Sequence, residues 1–314
     1  SNFDVTLLDD DSTDASQNIL EEYRQRYPEL TRCVFNEHNS GGVFNQWRRG
    51  LEMASGDLIW IAESDDYCTE NLLTDLVKYF VDDAVMLAYC RSIFVEEEST
   101  EPVWSLEEYL AELDSDLWRN PFIMSAHHLV NKAWAIRNIV PNVSSAVFRH
   151  PGRLELLDNE RWKQMKICGD WLFYLHLIRG GLVAYTPNAT NYYRLHQNNT
   201  SLSTYDKDVY YQEHERVAKE VSTLYRVESE VFERQQKILQ SQWRSFRSDY
   251  SEDSFKECYD YERIRHFPVQ RKPNLLMVSF ALITGGGEIF PIKLANMLKV
   301  AGYGITFFNC HKEP

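Results

Sequence analysis

The feature that most constrains this chain is an apolar run, residues 58–62, that ends directly in a group of carboxylates. The run shows no alternation of polar and apolar residues, which is typical of a strand covered on both faces. It predicts a central parallel strand of an α/β sheet. Ligands of such sheets bind beyond the carboxyl ends of the strands. In this chain Glu63, Asp65 and Asp66 follow that end.

These three carboxylates would repel one another unless a cation lay between them. Clustered hard oxygen ligands suit Mg²⁺ or Mn²⁺, and those ions in turn suit a diphosphate. The alternative is an acidic turn that caps the next helix, with Thr69 as N-cap and Glu70 in the first turn. The pattern alone leaves both interpretations open.

Composition limits the classes of protein that this chain can belong to. With 314 residues and 44% hydrophobic residues, the chain can bury a substantial core. The net charge of −14 argues against general binding to nucleic acid. No apolar run is long enough to span a bilayer and no signal peptide is evident, so we predict a cytoplasmic protein. The six cysteines include no CxxC pair, which indicates neither a zinc cage nor a disulfide framework.

A second predicted strand, residues 3–8, also ends in acids, at Asp9 and Asp10. A helix, a third strand at residues 32–36 and a glycine turn follow, before a helix that Gly56 terminates. Two strands with acidic ends indicate one shared pocket.

Three segments together resemble the nucleotide-sugar-binding half of family 2 glycosyltransferases, which are inverting enzymes with the GT-A fold. They are Leu7-Leu8-Asp9-Asp10-Asp11-Ser12-Thr13-Asp14, Asn36-Glu37-His38-Asn39-Ser40-Gly41-Gly42 and Trp60-Ile61-Ala62-Glu63-Ser64-Asp65-Asp66.

The resemblance implies roles for these residues. Asp9 and Asp10 would contact the base or ribose of the donor. Glu63 and Asp65 stand at the DxD position, with glutamate in place of the usual first aspartate, and Asp66 is a further metal ligand. Family members normally begin with another strand upstream of residue 3, so we expect this chain to lack the first strand and to be a fragment.

The segment Cys168-Gly169-Asp170-Trp171 opens a strongly apolar helix. The helix dipole is expected to keep a carboxylate at this position ionised, and an ionised carboxylate beside an acceptor hydroxyl is a general base. The alternative role for Asp170 is a plain N-cap. The segment is similar to the catalytic-base motif of the family, which implies that Asp170 is the base.

Arg194 and His196 resemble the Arg-x-His element of the same family. The resemblance implies that His196 is a metal ligand and that Arg194 contacts the diphosphate, for which its planar guanidinium is suited. Trp118 and Trp134 could stack on a sugar ring, but core packing is the commoner use of tryptophan.

The predicted fold class is α/β: a GT-A, Rossmann-like, mostly parallel sheet with flanking helices over residues 1–205, then a helical segment over 206–270. Residues 271–314 resemble the opening βαβ unit of a family 4 (GT-B) glycosyltransferase, with a glycine turn at 285–287. This last unit is too short to be a complete GT-B domain.

We therefore predict a hexosyltransferase-like enzyme that uses Mn²⁺ or Mg²⁺ and moves a sugar from a nucleotide-diphosphate donor to a hydroxyl acceptor. The resemblance implies a saccharide or lipid-linked saccharide acceptor, bacterial surface polysaccharide synthesis, and work in the cytoplasm or at the inner face of the membrane. One alternative is a catalytically inactive nucleotide-sugar-binding or scaffold module. Nucleotidyl transfer is a weaker alternative, because the chain shows no basic loop that could cradle a triphosphate.

Overall fold

A computed structural model describes residues 3–114, 116–152, 154, 156–157, 160–196, 204–248, 251–268, 274–279, 291–295, 297–298 and 303–309. The strands are β1 Val5–Asp9, β2 Thr31–Phe35, β3 Leu58–Trp60, β4 Tyr67–Cys68, β5 Val85–Glu96, β6 Pro102–Ser105, β7 Phe122–Ser125, β8 Ala146–Arg149, β9 Leu182–Leu195, β10 Asn274–Ser279 and β11 Gly304–Asn309. The α-helices are α1 Ser16–Arg26, α2 Val43–Met53, α3 Leu72–Val77, α4 Leu106–Tyr109, α5 Ala126–Leu129, α6 Gly169–Leu177, α7 Asp208–Leu224, α8 Ser229–Phe246, α9 Glu252–Cys258 and α10 Tyr261–Arg265.

The central element is a seven-stranded sheet with the order β3-β8-β5-β9-β4, in which β6 also pairs with β5 and β7 with β9. The long strands β5 and β9 run parallel to each other. The other pairings of this sheet in the described residues are antiparallel. The predicted α/β class is confirmed, but this sheet is mixed and not mostly parallel.

The prediction of a central parallel strand at residues 58–62 was wrong. Strand β3 covers Leu58–Trp60, lies at one end of the sheet order, and pairs antiparallel with β8. Its side chains are half-buried or exposed, and Trp60 is 36% exposed. A short apolar run specifies neither the direction of a strand nor its neighbours, because both depend on pairing with distant residues.

Strands β1 and β2 form a separate parallel pair in the described residues. Helix α2 links this pair to the main core, because Leu8 of β1 packs close to Gly50. Helix α2 also buries Phe44, Trp47 and Leu51, and the Trp47 ring lies 6.3 Å from the ring of Phe173 in α6. The acidic end of β1 is therefore held against the same core that carries α6.

The helical segment packs on the sheet-bearing part of the chain. Residues of α7 to α10 belong to the same hydrophobic cluster as α2, α6 and β5. Tyr225 donates its hydroxyl hydrogen to the Leu175 carbonyl oxygen at 2.6 Å, and Gln235 donates to that of Ile136 at 3.2 Å. The two parts share one core. The boundaries at 205 and 270 stay a prediction.

Strands β10 and β11 form a second parallel pair, in register from Asn274 with Gly304 to Ser279 with Asn309. Residues 291–295 and 297–298 between them are helical. The assignment of residues 271–314 to a second α/β unit stays a prediction. The glycine turn at 285–287 lies outside the described residues, and the likeness to a GT-B domain stays a prediction.

Candidate functional site

Glu63, Asp65 and Asp66 form one acidic cluster between β3 and β4. Each offers a carboxylate oxygen, and the three oxygens lie within 4.8 Å of one another. The backbone N–H of Asp66 donates to the Glu63 carbonyl oxygen at 3.3 Å, so a tight turn brings the side chains together. These are the three residues that the sequence predicted to stand together.

The acidic cluster is held by Asn142 and Ser144, from the segment that precedes β8. Asn142 Nδ2 donates to Asp66 at 2.7 Å and to Glu63 at 3.3 Å. Ser144 Oγ donates to Asp66 at 2.7 Å and accepts from the Glu63 backbone N–H at 3.0 Å. Both holding residues are buried, and Asn142 is itself fixed because its Oδ1 accepts from Asn191 Nδ2 at 2.9 Å.

Burial and mutual repulsion disfavour the fully ionised form of the acidic cluster. Burial, and after it the charges of Asp66, Asp65 and Asp170, raise the pKa of Glu63 to about 8. Burial also raises the pKa of Asp66, against the hydrogen bonds from Ser144 and Asn142 that lower it. A divalent cation would offset the cost of burying the carboxylates and the repulsion between them. Three hard carboxylate oxygens fit Mg²⁺ or Mn²⁺.

The end of β9 lies against the acidic cluster. His196 Nε2 is 3.1 Å from Asp65 Oδ2. Arg194 donates from Nε to the Asp65 carbonyl oxygen at 2.9 Å, and its backbone N–H donates to Asp66 Oδ1 at 3.3 Å. The guanidinium also lies over the ring of Tyr67, at 5.8 Å. The two residues of the predicted Arg-x-His element therefore lie beside the acids.

Asp170 lies in the first turn of α6 and is partly buried. One carboxylate oxygen accepts from Asn138 Nδ2 at 2.8 Å and the other from the Trp171 backbone N–H at 2.6 Å. Burial raises the pKa of Asp170 to about 7, because it outweighs those hydrogen bonds. Burial therefore opposes the ionisation that the helix dipole was expected to favour. The charge of Asp170 is one of the influences that raise the pKa of Glu63, after burial and the charges of Asp66 and Asp65.

Asp9 and Asp10 accept hydrogen bonds from residues that follow β1 and β2 in the chain. Asp9 is buried and accepts from Gln17 Nε2 at 2.7 Å. Asp10 accepts from Asn36 at 2.6 Å, from the Ser40 backbone N–H at 2.8 Å and from Gln46 at 2.5 Å. Burial would raise the pKa of Asp10, but the hydrogen bonds from Ser40, Asn36 and Gln46 lower it. In the described residues the hydrogen bonds of both aspartates go to residues other than the acidic cluster.

Sequence reasoning assigned no individual role to Asn142, Ser144, Asn138 or Glu213. Glu213 of α7 is buried, and its carboxylate accepts backbone hydrogen bonds from residues 166–168, immediately before α6. A polar residue on the buried face of an amphipathic helix was the available signal for Glu213. For the two asparagines and Ser144, only their position beside predicted site segments could have suggested a role.

The two tryptophans considered for sugar stacking are core residues. Trp118 is buried and donates from Nε1 to the Tyr89 hydroxyl at 2.7 Å. Trp134 is fully buried against Tyr174, with ring centroids 6.2 Å apart. Neither exposes a ring face to a ligand.

Residues 1–138 match the model of Glycosyl transferase family 2. An uncharacterized protein of Mycobacterium tuberculosis is 30% identical over 208 residues, 64% of this chain and 53% of that protein. An uncharacterized glycosyltransferase of Haemophilus influenzae is 26% identical over 226 residues, 70% of this chain and 63% of that protein. The chain thus spans about half the length of the curated relatives it matches first.

Among solved structures, S. aureus TarS is 16% identical with a TM-score of 0.55, over 83% of this chain and 44% of that one. A form of TarS in complex with UDP-GlcNAc is 17% identical with a TM-score of 0.51, over 85% of this chain and 73% of that one. At these identities the likeness shows the fold alone. The part of the chain that resembles the family 2 model is residues 1–138.

No helix in the described ranges is long and apolar enough to cross a membrane.

Proposed function

We propose that this chain is a metal-dependent, inverting glycosyltransferase that moves a hexosyl group from a nucleotide-diphosphate sugar to an acceptor hydroxyl. The observation that carries the proposal is the acidic cluster, whose three carboxylate oxygens lie within 4.8 Å, with His196 3.1 Å from Asp65. Glu63, Asp65, Asp66 and His196 would hold Mn²⁺ or Mg²⁺. A bound divalent cation supplies neutralisation of the charge that develops on the leaving diphosphate.

Proton transfer and contact with the donor are assigned to the chain's own residues. Asp170 accepts the proton of the acceptor hydroxyl as that oxygen attacks the anomeric carbon on the face opposite the leaving group, which inverts the configuration. A pKa of about 7 suits a general base at neutral pH. Asn138 orients the Asp170 carboxylate through its 2.8 Å hydrogen bond. Arg194 contacts the diphosphate from beside Asp65.

Asp9 and Asp10 are proposed to act at the nucleoside end of the donor. Asp10 ties the end of β1 to Asn36, Ser40 and Gln46, so it fixes the loop that would line that end. Direct contact with the donor would require Asp10 to exchange some of these hydrogen bonds.

The wider role is proposed by similarity. One matched relative, over 79 residues at 33% identity, is the minor teichoic acid biosynthesis protein GgaB of Bacillus subtilis. A mannosyltransferase of Pyrobaculum calidifontis solved with GDP-Man and Mn²⁺ shares the fold at a TM-score of 0.50. We accordingly propose a saccharide or lipid-linked saccharide acceptor and a role in bacterial surface polysaccharide synthesis, in the cytoplasm or at the inner face of the membrane.

The test is calorimetric titration of UDP, dTDP and GDP into this chain with and without Mn²⁺, on the wild type, Asp65→Ala and Asp83→Ala. Asp83 is a matched control, since it is an exposed aspartate whose side chain pairs only loosely with Arg149, at 3.4 Å. We expect one nucleotide to bind only with Mn²⁺, to be lost in Asp65→Ala and to be retained in Asp83→Ala. Metal-independent binding, or equal binding by both variants, would refute the metal site. Binding without release of nucleoside diphosphate from the matching nucleotide sugar would favour the inactive binding module.

A further inference from the structure

A second cavity, of about 360 Å³, opens between the sheet-bearing part of the chain and the helical segment. We call it the aromatic cavity. Its wall combines Trp104, Tyr109 and Arg137 with Tyr205, Gln242 and Phe246, so both parts of the chain build it. The volume lies in the range of small-molecule sites. It is separate from a larger open cavity, of about 680 Å³, lined by Asp57 and Arg149 at the opposite end of β3 from the acidic cluster.

The aromatic rings form a platform on one side of this cavity. The rings of Tyr205 and Phe246 stack at 5.2 Å with an interplanar angle of 18°, and Tyr210 meets Tyr205 edge-on at 4.9 Å. Phe246 is 54% exposed although it is large and apolar. An exposed ring, supported from behind by another ring at the rim of a cavity, offers a flat face. Such a face packs well against the C–H face of a pyranose.

Polar groups surround this platform. Arg137 lies over the Tyr109 ring at 5.1 Å and donates to the Tyr109 carbonyl oxygen at 2.6 Å and to Glu112 at 3.0 Å. Its side chain is only 14% exposed, so the guanidinium is held in one place. Gln242 accepts from the Tyr210 hydroxyl at 3.4 Å. Fixed donors and acceptors at the edge of an aromatic face are what a hydroxyl-rich ring requires.

The charges argue against the other ligand classes. Among the described residues, the cavity lining holds two carboxylates, Glu108 and Glu112, and one cation, Arg137, which is already paired with Glu112. A phosphate group would meet a net negative wall. An alkyl chain would remove water from the guanidinium, the carboxylates and Gln242 without offering them a hydrogen bond in return, which is costly. An uncharged saccharide can pack one face against the aromatic rings and hydrogen-bond to the polar groups around them.

The wall of the aromatic cavity is linked to Asp170 through two consecutive residues, Arg137 and Asn138. Asn138, which donates to the Asp170 carboxylate at 2.8 Å, follows Arg137 directly in the chain. The Asp170 charge also reaches the Tyr109 hydroxyl, where it is one of the influences that raise the Tyr109 pKa, although burial is the largest. The residue that orients the Asp170 carboxylate is therefore the chain neighbour of a residue that lines the cavity.

We propose that the aromatic cavity binds a sugar residue of the acceptor saccharide, with the ring against Phe246 and Tyr205 and its hydroxyls at Arg137 and Gln242. The inference rests on the proposed function, in which Asp170 is the base. It assigns acceptor recognition to the helical segment, because Phe246 and Gln242 both belong to α8.

Saturation-transfer NMR on the full chain tests this site with maltose, lactose and N,N′-diacetylchitobiose as probes, and with dodecyl maltoside below its critical micelle concentration. We expect ring-proton signals from at least one disaccharide with the wild type, and at least a roughly tenfold weaker signal with Phe246→Ala and with Gln242→Ala. Phe267→Ala is the matched control, because Phe267 is 36% exposed and lies outside the cavity lining. It should give the wild-type signal.

Three results would overturn the assignment: no ring-proton signal from any disaccharide, equal signals from the wild type and both cavity variants, or saturation of the alkyl protons of dodecyl maltoside in place of its sugar protons. Thermal unfolding of each variant verifies that it is folded. If Phe246→Ala is not folded, the NMR result with Gln242→Ala decides whether the cavity binds the disaccharide. The metal-dependent nucleotide titration of the wild type is a separate measurement. If that titration fails while disaccharides bind at Phe246, the proposed function falls and the saccharide site stands.

Discussion

The Glu213 carboxylate accepts a hydrogen bond from the backbone N–H of Cys168 at 3.0 Å, across 45 residues of sequence. The same carboxylate accepts from the N–H groups of Lys166, at 2.7 Å, and Ile167, at 2.9 Å. Three consecutive backbone donors thus converge on one buried side chain just before Gly169 begins α6. A residue of the helical segment therefore sets where the helix carrying Asp170 starts.

Replacing Glu213 with glutamine should destabilise the protein and shift its pH profile. The amide keeps one oxygen, so at least one of the three backbone N–H groups loses its acceptor, at a cost of about 1–3 kcal/mol. The charge of Glu213 also raises the pKa of Asp170, after burial. Its removal should move the midpoint of the kcat profile to lower pH. Urea unfolding and kcat against pH measure the two effects.

The control for that substitution is Glu233→Gln, at an exposed position of α8. It should leave both the unfolding free energy and the kcat profile at their wild-type values. If Glu213→Gln unfolded like the wild type and kept its pH midpoint, the carboxylate would have no positioning role.

Gly169→Ala should also disturb Asp170, for a steric reason. A Cβ at Gly169 would lie 2.5 Å from the Trp162 carbonyl oxygen and would clash with the Phe44 ring. Backbone on one side and a packed ring on the other leave little room, and such overpacking typically costs about 1–3 kcal/mol. We expect a lower melting temperature and a lower kcat, because the first turn of α6 must shift.

Gly42→Ala is the comparison for this loss, since nothing lies within 4 Å of the position of its Cβ. Its backbone is extended, and alanine at this N-cap should cost less than about 1 kcal/mol. Similar melting temperatures for the two variants would mean that the segment around Gly169 relaxes freely and does not fix Asp170.

Local sequence patterns were enough to predict the parts of the fold that depend on neighbouring residues. Strand β1 and helix α2 were predictable because apolar spacing and glycine stops act within one element. The acidic cluster was predictable for the same reason, since Glu63, Asp65 and Asp66 share one turn. Arg194 and His196 were placed by likeness to a family.

What the sequence could not reveal depends on distant pairing. Strand β3 was assigned to the centre of the sheet, yet its partner is β8, almost ninety residues later along the chain and antiparallel. Asn142 reaches Asp66 across 76 residues and Glu213 reaches Cys168 across 45. The burial of Asp170, which no local pattern reports, raises its pKa because it outweighs the hydrogen bonds to its carboxylate.

Asn142→Ala should weaken Mn²⁺ binding without removing a proposed metal ligand. Asn142 donates to both Asp66 and Glu63, so its loss frees two carboxylates to rotate or to take up a proton. Partners that orient metal ligands typically contribute 10–100-fold in affinity. Calorimetric Mn²⁺ titration in the presence of the nucleotide that binds should show a loss of that size, while Asn71→Ala, at an exposed asparagine, should bind normally. Unchanged affinity in Asn142→Ala would mean that the metal is held elsewhere.

The pH dependence of turnover should identify the base. Asp170 acts only when deprotonated and its pKa is about 7, so kcat should rise with pH through about 7 and level off above it. Glu63, with a pKa of about 8, also loses a proton in this range. Saturating Mn²⁺ keeps Glu63 ionised, because a bound cation competes with the proton. Measured at saturating Mn²⁺ and donor, the rise then reports Asp170.

Asp170→Asn completes this test. The amide keeps the size of the side chain but cannot accept the acceptor's proton, so kcat should fall by about 10²–10⁴-fold and its remaining pH dependence near 7 should disappear. Nucleoside diphosphate release from the donor alone, with water as acceptor, measures the reaction without a saccharide and should fall in parallel. A variant that lost activity but kept the wild-type midpoint would show that another group titrates, and Asp170 would then be a positioning residue and not the base.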